Sequence, residues 1–160
     1  MCVSVWTPNN MNNKLIVQLL EENELNISQL YALYAHKIPT KKTFWERISQ
    51  EEIAHAASFQ NNMLGIDLAQ SIKETRFSRS IVQYVMDFVL QEKQRAQKSN
   101  ISHLDALQTA LRIERSMLEK KCFDIFIPND TTVKELFIKM NNDTEKHIEI
   151  LMKELKKSST

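Results

Sequence analysis

Apolar residues recur at the i, i+3, i+4, i+7 spacing of helices in four long segments of this chain. The first stripe reads Leu20, Glu24, Ile27, Tyr31, Tyr34, Ile38, and the second Trp45, Ile48, Glu52, His55, Phe59, Met63. The third is Leu104, Leu107, Leu111, Glu114, Leu118, Cys122, Ile125, and the fourth is Val133, Phe137, Met140, Thr144, His147, Leu151, Leu155. Near its middle, each stripe is interrupted by residues that resist burial.

The punctuation between stripes sets the element boundaries. A first helix is predicted from about 13 to 37, stopped by Pro39, because the residue before a proline avoids the α region. A second begins at Thr40 or Thr43, either able to cap, and ends near Gly65. After a mixed connection, a further helix covers about 80 to 98 and breaks at Ser99-Asn100. Ser102 caps the next, which reaches about Ile127, and Asn129 or Asp130 opens a last helix running to about Lys156. Residues 1–12 and 157–160 are expected to be flexible ends of a single domain spanning 1–160. Two helical hairpins joined by more than 30 residues with a helix of their own is the connectivity of ferritin-like four-helix bundles. The predicted class is all-α.

Composition sharpens that picture. One glycine and three prolines in 160 residues are too few for the frequent turns of a sheet protein. A formal net charge of +1 gives no electrostatic reason to expect a nucleic-acid or membrane-surface partner. The lysines at 153, 156 and 157 read as a solvated helix end that complements the helix dipole. Two cysteines, Cys2 and Cys122, exclude a disulfide framework, a zinc knuckle and a thiolate-held iron centre within the chain. The N-terminal segment lacks the pattern of a signal peptide and no apolar run reaches membrane-spanning length, so the expected compartment is the cytoplasm.

The polar interruptions carry the chemistry. A carboxylate facing a bundle core costs several kcal/mol unless it is paired, protonated or bound to a cation. Glu-x-x-His is common on wet helix surfaces, and a lone histidine on an apolar face is usually a hydrogen-bonded core residue. Joint placement changes the balance, since Glu24, Glu52, His55, Glu114 and His147 fall at similar depth on four helices. The i, i+3 spacing of Glu52 and His55 lets both reach one ion, and carboxylate plus imidazole suits a divalent or trivalent metal. A ligand-binding bundle without metal would need Lys or Arg partners for these carboxylates, and the four stripes contain none.

These residues resemble the rubrerythrin-like branch of the ferritin-like di-iron carboxylate superfamily. Helix one carries Glu-Leu-Asn-Ile-Ser-Gln-Leu-Tyr-Ala-Leu-Tyr-Ala from Glu24 to Ala35, and helix two Glu-Glu-Ile-Ala-His-Ala from Glu51 to Ala56. The third bundle helix has Ala-Leu-Gln-Thr-Ala-Leu-Arg-Ile-Glu ending at Glu114, and the last has Asp-Thr-Glu-Lys-His-Ile-Glu-Ile-Leu around His147. The resemblance spans about residues 14 to 155. It implies one iron on Glu24, Glu52 and His55, a second on Glu114 and His147, and Glu52 bridging the two, with manganese able to replace iron. It further implies a non-haem peroxidase or ferroxidase acting on peroxide, oxygen or Fe(II), and a homodimer.

Two departures qualify the implied activity. Where the family places a second bridging glutamate this chain has Thr144, which matches a carboxylate in neither charge nor reach. Asp143 lies about 40° round the helix from His147 and is the nearest substitute, though one methylene shorter than Glu. Nothing in the chain can form the cysteine-ligated rubredoxin domain of full-length rubrerythrins, so turnover would require an external electron donor. The alternative is a bundle with a degenerate site, serving a metal-binding or structural role without redox turnover. The crossover segment adds a last expectation. Eight of the ten residues from Ile81 to Leu90 are apolar. Ile81, Tyr84, Val85 and Phe88 form one stripe, while Val82, Met86, Val89 and Leu90 extend it round the helix, as an association surface would.

Overall fold

The computed structural model describes residues 16–63, 72–73, 76–119, 127–128 and 131–158. Five helices account for nearly all of them: α1 (Ile16–Lys37), α2 (Lys42–Met63), α3 (Arg76–Lys98), α4 (His103–Glu119) and α5 (Thr131–Ser158). The all-α class is as predicted. A two-residue ladder, β1 (Ile72–Lys73) against β2 (Ile127–Pro128), ties the segment before α3 to the segment before α5 in antiparallel register.

The boundaries follow local chemistry. Pro39 sets its own φ and lacks an N–H, so it opens a 3-10 turn, Pro39–Lys41, that runs directly into α2; no side chain caps this turn. The threonine cap expected at Thr40 or Thr43 is therefore replaced by a proline start. Ser102 caps α4 as predicted, its hydroxyl accepting from Asp105 N at 3.1 Å and its carbonyl from Ala106 N at 3.0 Å. The helix over the crossover begins at Arg76, four residues earlier than expected. Lys157 and Ser158, predicted as flexible, continue α5. Asn129, Asp130, Cys122 and Ile125 lie outside the described residues, as does 1–12.

Side-chain pairs fix how the helices run. Ser28 opposes Ser49 and Glu21 opposes Gln60, so α1 and α2 are antiparallel. His103 opposes Glu154 and Glu114 opposes His147, so α4 and α5 are antiparallel as well. α3 lies alongside α1, with Lys93 bonded to Asn26 at 3.0 Å, and turns at Ser99 into α4, where Arg95 grips Asp105 at 2.7 Å and 3.1 Å. One continuous core draws on all five helices. Its densest part is aromatic: Trp45 sits 5.0 Å from Tyr34 and 5.5 Å from Tyr31, ring centroid to centroid, all three fully buried.

The described members of the α1 and α2 stripes are buried as expected. On α4, Leu104 is exposed, and Ala106, Leu107, Ala110, Leu111 and Ile113 make the apolar face instead. On α5, Glu154 is buried where Leu155 was expected; its carboxylate holds Lys41 at 2.7 Å and His103 at 3.1 Å, so the helix end turns a paired charge inward.

The crossover helix departs most. It buries Val82, Val85, Met86 and Val89, a regular i, i+3, i+4, i+7 stripe, while Tyr84 is 57% exposed. The inward face is thus turned by one position from the expected one, and the surface offered for association is used inside the chain. An ammonium at Val89 would have no partner in that interior, whereas Tyr84 already stands in water. Val89→Lys is therefore expected to destabilise by several kcal/mol. Tyr84→Lys should change stability by no more than about 0.5 kcal/mol. Urea midpoints of the two variants check this, and equal midpoints would contradict the assigned phase of α3.

Candidate metal centre

The site is built where α1 and α2 come close. Ser28 and Ser49, small and buried, face each other with hydroxyls 3.0 Å apart, and Ser49 also donates to the Ser28 carbonyl at 2.8 Å. Small side chains at this crossing let the backbones approach. One turn further along each helix, Glu24 and the Glu52–His55 pair then meet in the interior. From the other hairpin, α4 presents Glu114 and α5 presents His147 at the same level. All five predicted residues are buried, with exposures from 2% for Glu52 to 7% for His55.

Glu52 is the hub. Its Oε2 lies 2.9 Å from His55 Nδ1 and its Oε1 lies 2.8 Å from His147 Nδ1. Glu114 Oε1 stands 3.6 Å from His147 Nδ1, and Glu24 Oε2 stands 3.9 Å from His55 Nδ1. The imidazole rings are 5.2 Å apart and inclined by 31°. Tyr31 closes the floor, its phenol donating to Glu114 Oε1 at 2.8 Å. The buried carboxylates thus face imidazoles rather than Lys or Arg, the pairing a metal-free ligand pocket would have needed.

Glu52, His55 and His147 each offer a ligand atom within 4.8 Å of the others, a grouping able to hold a metal ion. Glu52 Oε1 and His147 Nδ1 are both buried and form an ion pair at 2.8 Å. Glu52 stands between the two histidines, where the resemblance implies a bridging carboxylate. The chain is significantly similar to no protein-family model, no curated protein and no solved structure. What the site can do is therefore read from its own residues.

Neither Thr144 nor Asp143 bridges within the site. Thr144 is buried, but its hydroxyl donates to Met140 O at 3.0 Å, one turn back along α5, rather than into the site. Asp143 does not bridge: it sits at the outer edge, 3.5 Å from His55 Nε2, held by Lys139 at 3.2 Å and Lys146 at 3.0 Å. One contact escaped the sequence reading. Glu51 Oε2 accepts from His147 Nε2 at 2.8 Å across the α2–α5 gap. Its i, i+4 partner Arg47 gave it the signature of a solvated surface residue, and only the helix pairing brings His147 to it. Glu51, Asp143, His55, His147, Lys139 and Lys146 line a cavity of about 340 Å³ leading outward between α2 and α5.

Electrostatics here are those of too many carboxylates in too little water. Burial, then repulsion from Glu114, pushes the Glu52 carboxyl up from 4.5 to about 7. Burial and the neighbouring Glu52 raise Glu24 well above the carboxylate range. Burial opposes the charged form of His147, but the Glu114 and Glu52 carboxylates outweigh it and raise the imidazole to about 12. All three shifts have one sign: the metal-free folded chain holds protons that the unfolded chain releases. Its stability should thus be greatest below about pH 4.5 as far as these groups are concerned, and should fall as pH rises towards about 7. Thermal unfolding of chelator-treated protein across that interval tests this. Glu52→Gln should flatten the slope, and a Tm that climbs with pH in the parent chain would contradict the buried carboxylate cluster.

Proposed function

We propose that this chain is a ferritin-like metal protein of the rubrerythrin kind that holds one iron or manganese ion on Glu52, His55 and His147. In this reading it is a non-haem oxidoreductase acting on peroxide, oxygen or Fe(II). The observation that carries the reading is the convergence of Glu52, His55 and His147, all buried, with ligand atoms within 4.8 Å of one another. A carboxylate and two imidazoles gathered in an apolar interior need protons or a cation among them. Two imidazoles with one carboxylate form a donor set suited to a redox-active divalent metal. The antiparallel hairpins α1–α2 and α4–α5, joined through α3, support a ferritin-like connectivity.

When bound, such an ion supplies the electron-transfer and Lewis-acid chemistry. The chain's own residues do the rest. Glu24 and Glu114 flank the three ligands and add negative charge that favours a cation over a neutral guest. Tyr31 holds its phenolic proton against Glu114 Oε1 and thereby aims that carboxylate. Ile48 and Phe59, fully buried on α2 one turn either side of the Glu52–His55 pair, keep water from the interior face. Electrons would come from an external donor, and the homodimer remains an expectation of the resemblance, to be tested by light scattering.

A second reading is a metal-binding or structural bundle without redox turnover. It is favoured by Thr144 turning to Met140 and by Asp143 being occupied with two lysines, which leaves no second bridging carboxylate. Elemental analysis of protein purified without chelator, with a peroxidase and ferroxidase assay, separates the two. Metal with turnover supports the first reading, metal without turnover the second, and a chain that takes up no metal overturns the first and leaves only a structural role. The single-ion assignment predicts about one metal per chain. Thr144→Glu should raise this towards two; unchanged stoichiometry in a folded variant would count against the missing carboxylate as the reason.

A further inference from the structure

Each imidazole of the site faces carboxylates on two sides. The Nδ1 atoms of His55 and His147 point to the interior group, while the Nε2 atoms point outward to Asp143 and Glu51. The two outer contacts are not equivalent. Asp143 is 3.5 Å from His55 Nε2, beyond hydrogen-bond quality, and its oxygens are engaged by Lys139 and Lys146. Glu51 makes a hydrogen bond of 2.8 Å to His147 Nε2 with one oxygen, while its other oxygen keeps only a loose, exposed pairing with Arg47 at 3.8 Å.

We infer that Glu51 is a positioning residue for metal capture: it holds the proton of His147 on Nε2 and so keeps the Nδ1 lone pair directed at the ion. The reasoning is one of donors and acceptors. A neutral imidazole has one N–H and one lone pair, and a carboxylate can only accept. Both ring nitrogens lie 2.8 Å from a carboxylate, and an ion held on Glu52 displaces only the Nδ1 proton, so the N–H that the neutral ligand keeps is the one Glu51 holds on Nε2. Nδ1 faces Glu52 Oε1 inside the grouping able to hold a metal ion, which points to the same assignment from the other side. Together with the Nδ1 contact to Glu52, the bond fixes the ring plane across the α2–α5 gap. Carboxylate partners of this kind raise ligand basicity and orient the ring, and their loss typically weakens metal binding 10- to 100-fold.

The inference rests on the metal-binding reading above, so the experiment separates the two. Co2+ is titrated into the full chain against a competing chelator, its visible absorption reporting affinity and coordination. The parent chain, Glu51→Gln, Glu51→Ala and Arg47→Ala are compared. Glu51→Ala should weaken Co2+ binding about 10- to 100-fold and alter the spectrum. Glu51→Gln keeps a carbonyl acceptor for Nε2–H and should fall between Ala and the parent. Arg47→Ala should match the parent, since its ion pair is exposed. In the Zn2+-loaded parent, nitrogen-detected NMR should find the His147 proton on Nε2, slow to exchange, and Glu51→Ala should speed that exchange. Tight Co2+ binding with an unchanged spectrum in Glu51→Ala would overturn the role of Glu51 and leave the metal site standing. A parent chain that binds no Co2+ would overturn the metal reading, and this inference with it.

Discussion

The contact on which the rest of the structure turns is the placement of the Glu52 carboxylate between two imidazoles. An ionised carboxylate with 2% of its residue surface in contact with solvent is tolerable only if positive charge or well-aimed donors surround it. His55 comes from the same helix and one turn away, so local geometry supplies it. His147 comes from the far hairpin and ties α5 to α2. A site that needs ligands from two hairpins obliges both to pack in a fixed register, and the Ser28–Ser49 crossing on one side supports that register. The Tyr31–Glu114 bond does so on another, joining α1 to α4.

Around this hub, polarity is arranged in shells. Burial first, and the crowding of carboxylates second, make Glu24 and Glu52 keep protons to unusually high pH in the absence of a cation. The outer rim, facing the cavity between α2 and α5, mixes Glu51 and Asp143 with Lys139 and Lys146. The inner group is thus short of positive charge while the rim is balanced, a gradient that would draw a divalent ion inward once it sheds water. The interior is also asymmetric. Thr144 satisfies its hydroxyl on its own helix, so the α5 side contributes His147 alone where a glutamate would have given charge as well.

A second polar cluster shows that buried charge in this fold does not by itself imply a ligand. Glu154, Lys41 and His103, with the Trp45 indole donating to His103 Nδ1 at 3.2 Å, lock the ends of α2, α4 and α5 together. There a lysine neutralises the carboxylate directly and its acceptors are filled. The Glu52 cluster differs in having no Lys or Arg partner among the described residues and in setting two imidazoles about one carboxylate. That contrast separates a structural clasp from a candidate metal centre.

Helix phase explains what was legible without coordinates. The stripes of α1 and α2 are regular enough that Glu24, Glu52 and His55 fall inward by periodicity alone, and the same holds for Glu114 and His147. The all-α class followed from sparse glycine and proline, and the Ser102 cap from its position ahead of an apolar run. Where the apolar pattern was too generous the phase was ambiguous: α3 could bury 81, 84, 85 and 88 or 82, 85, 86 and 89, and packing against α1 chose the second. What lay across an interface was not legible at all. Glu51 reads as the exposed partner of Arg47 until α5 is laid beside α2, and Asp143 reads as a substitute ligand until Lys139 and Lys146 claim it. A sequence states which face of a helix is apolar because that depends on 100° per residue. Which charged neighbour meets that helix's rim depends on the rotation and slide of a second helix, and those are decided by the whole core packing at once.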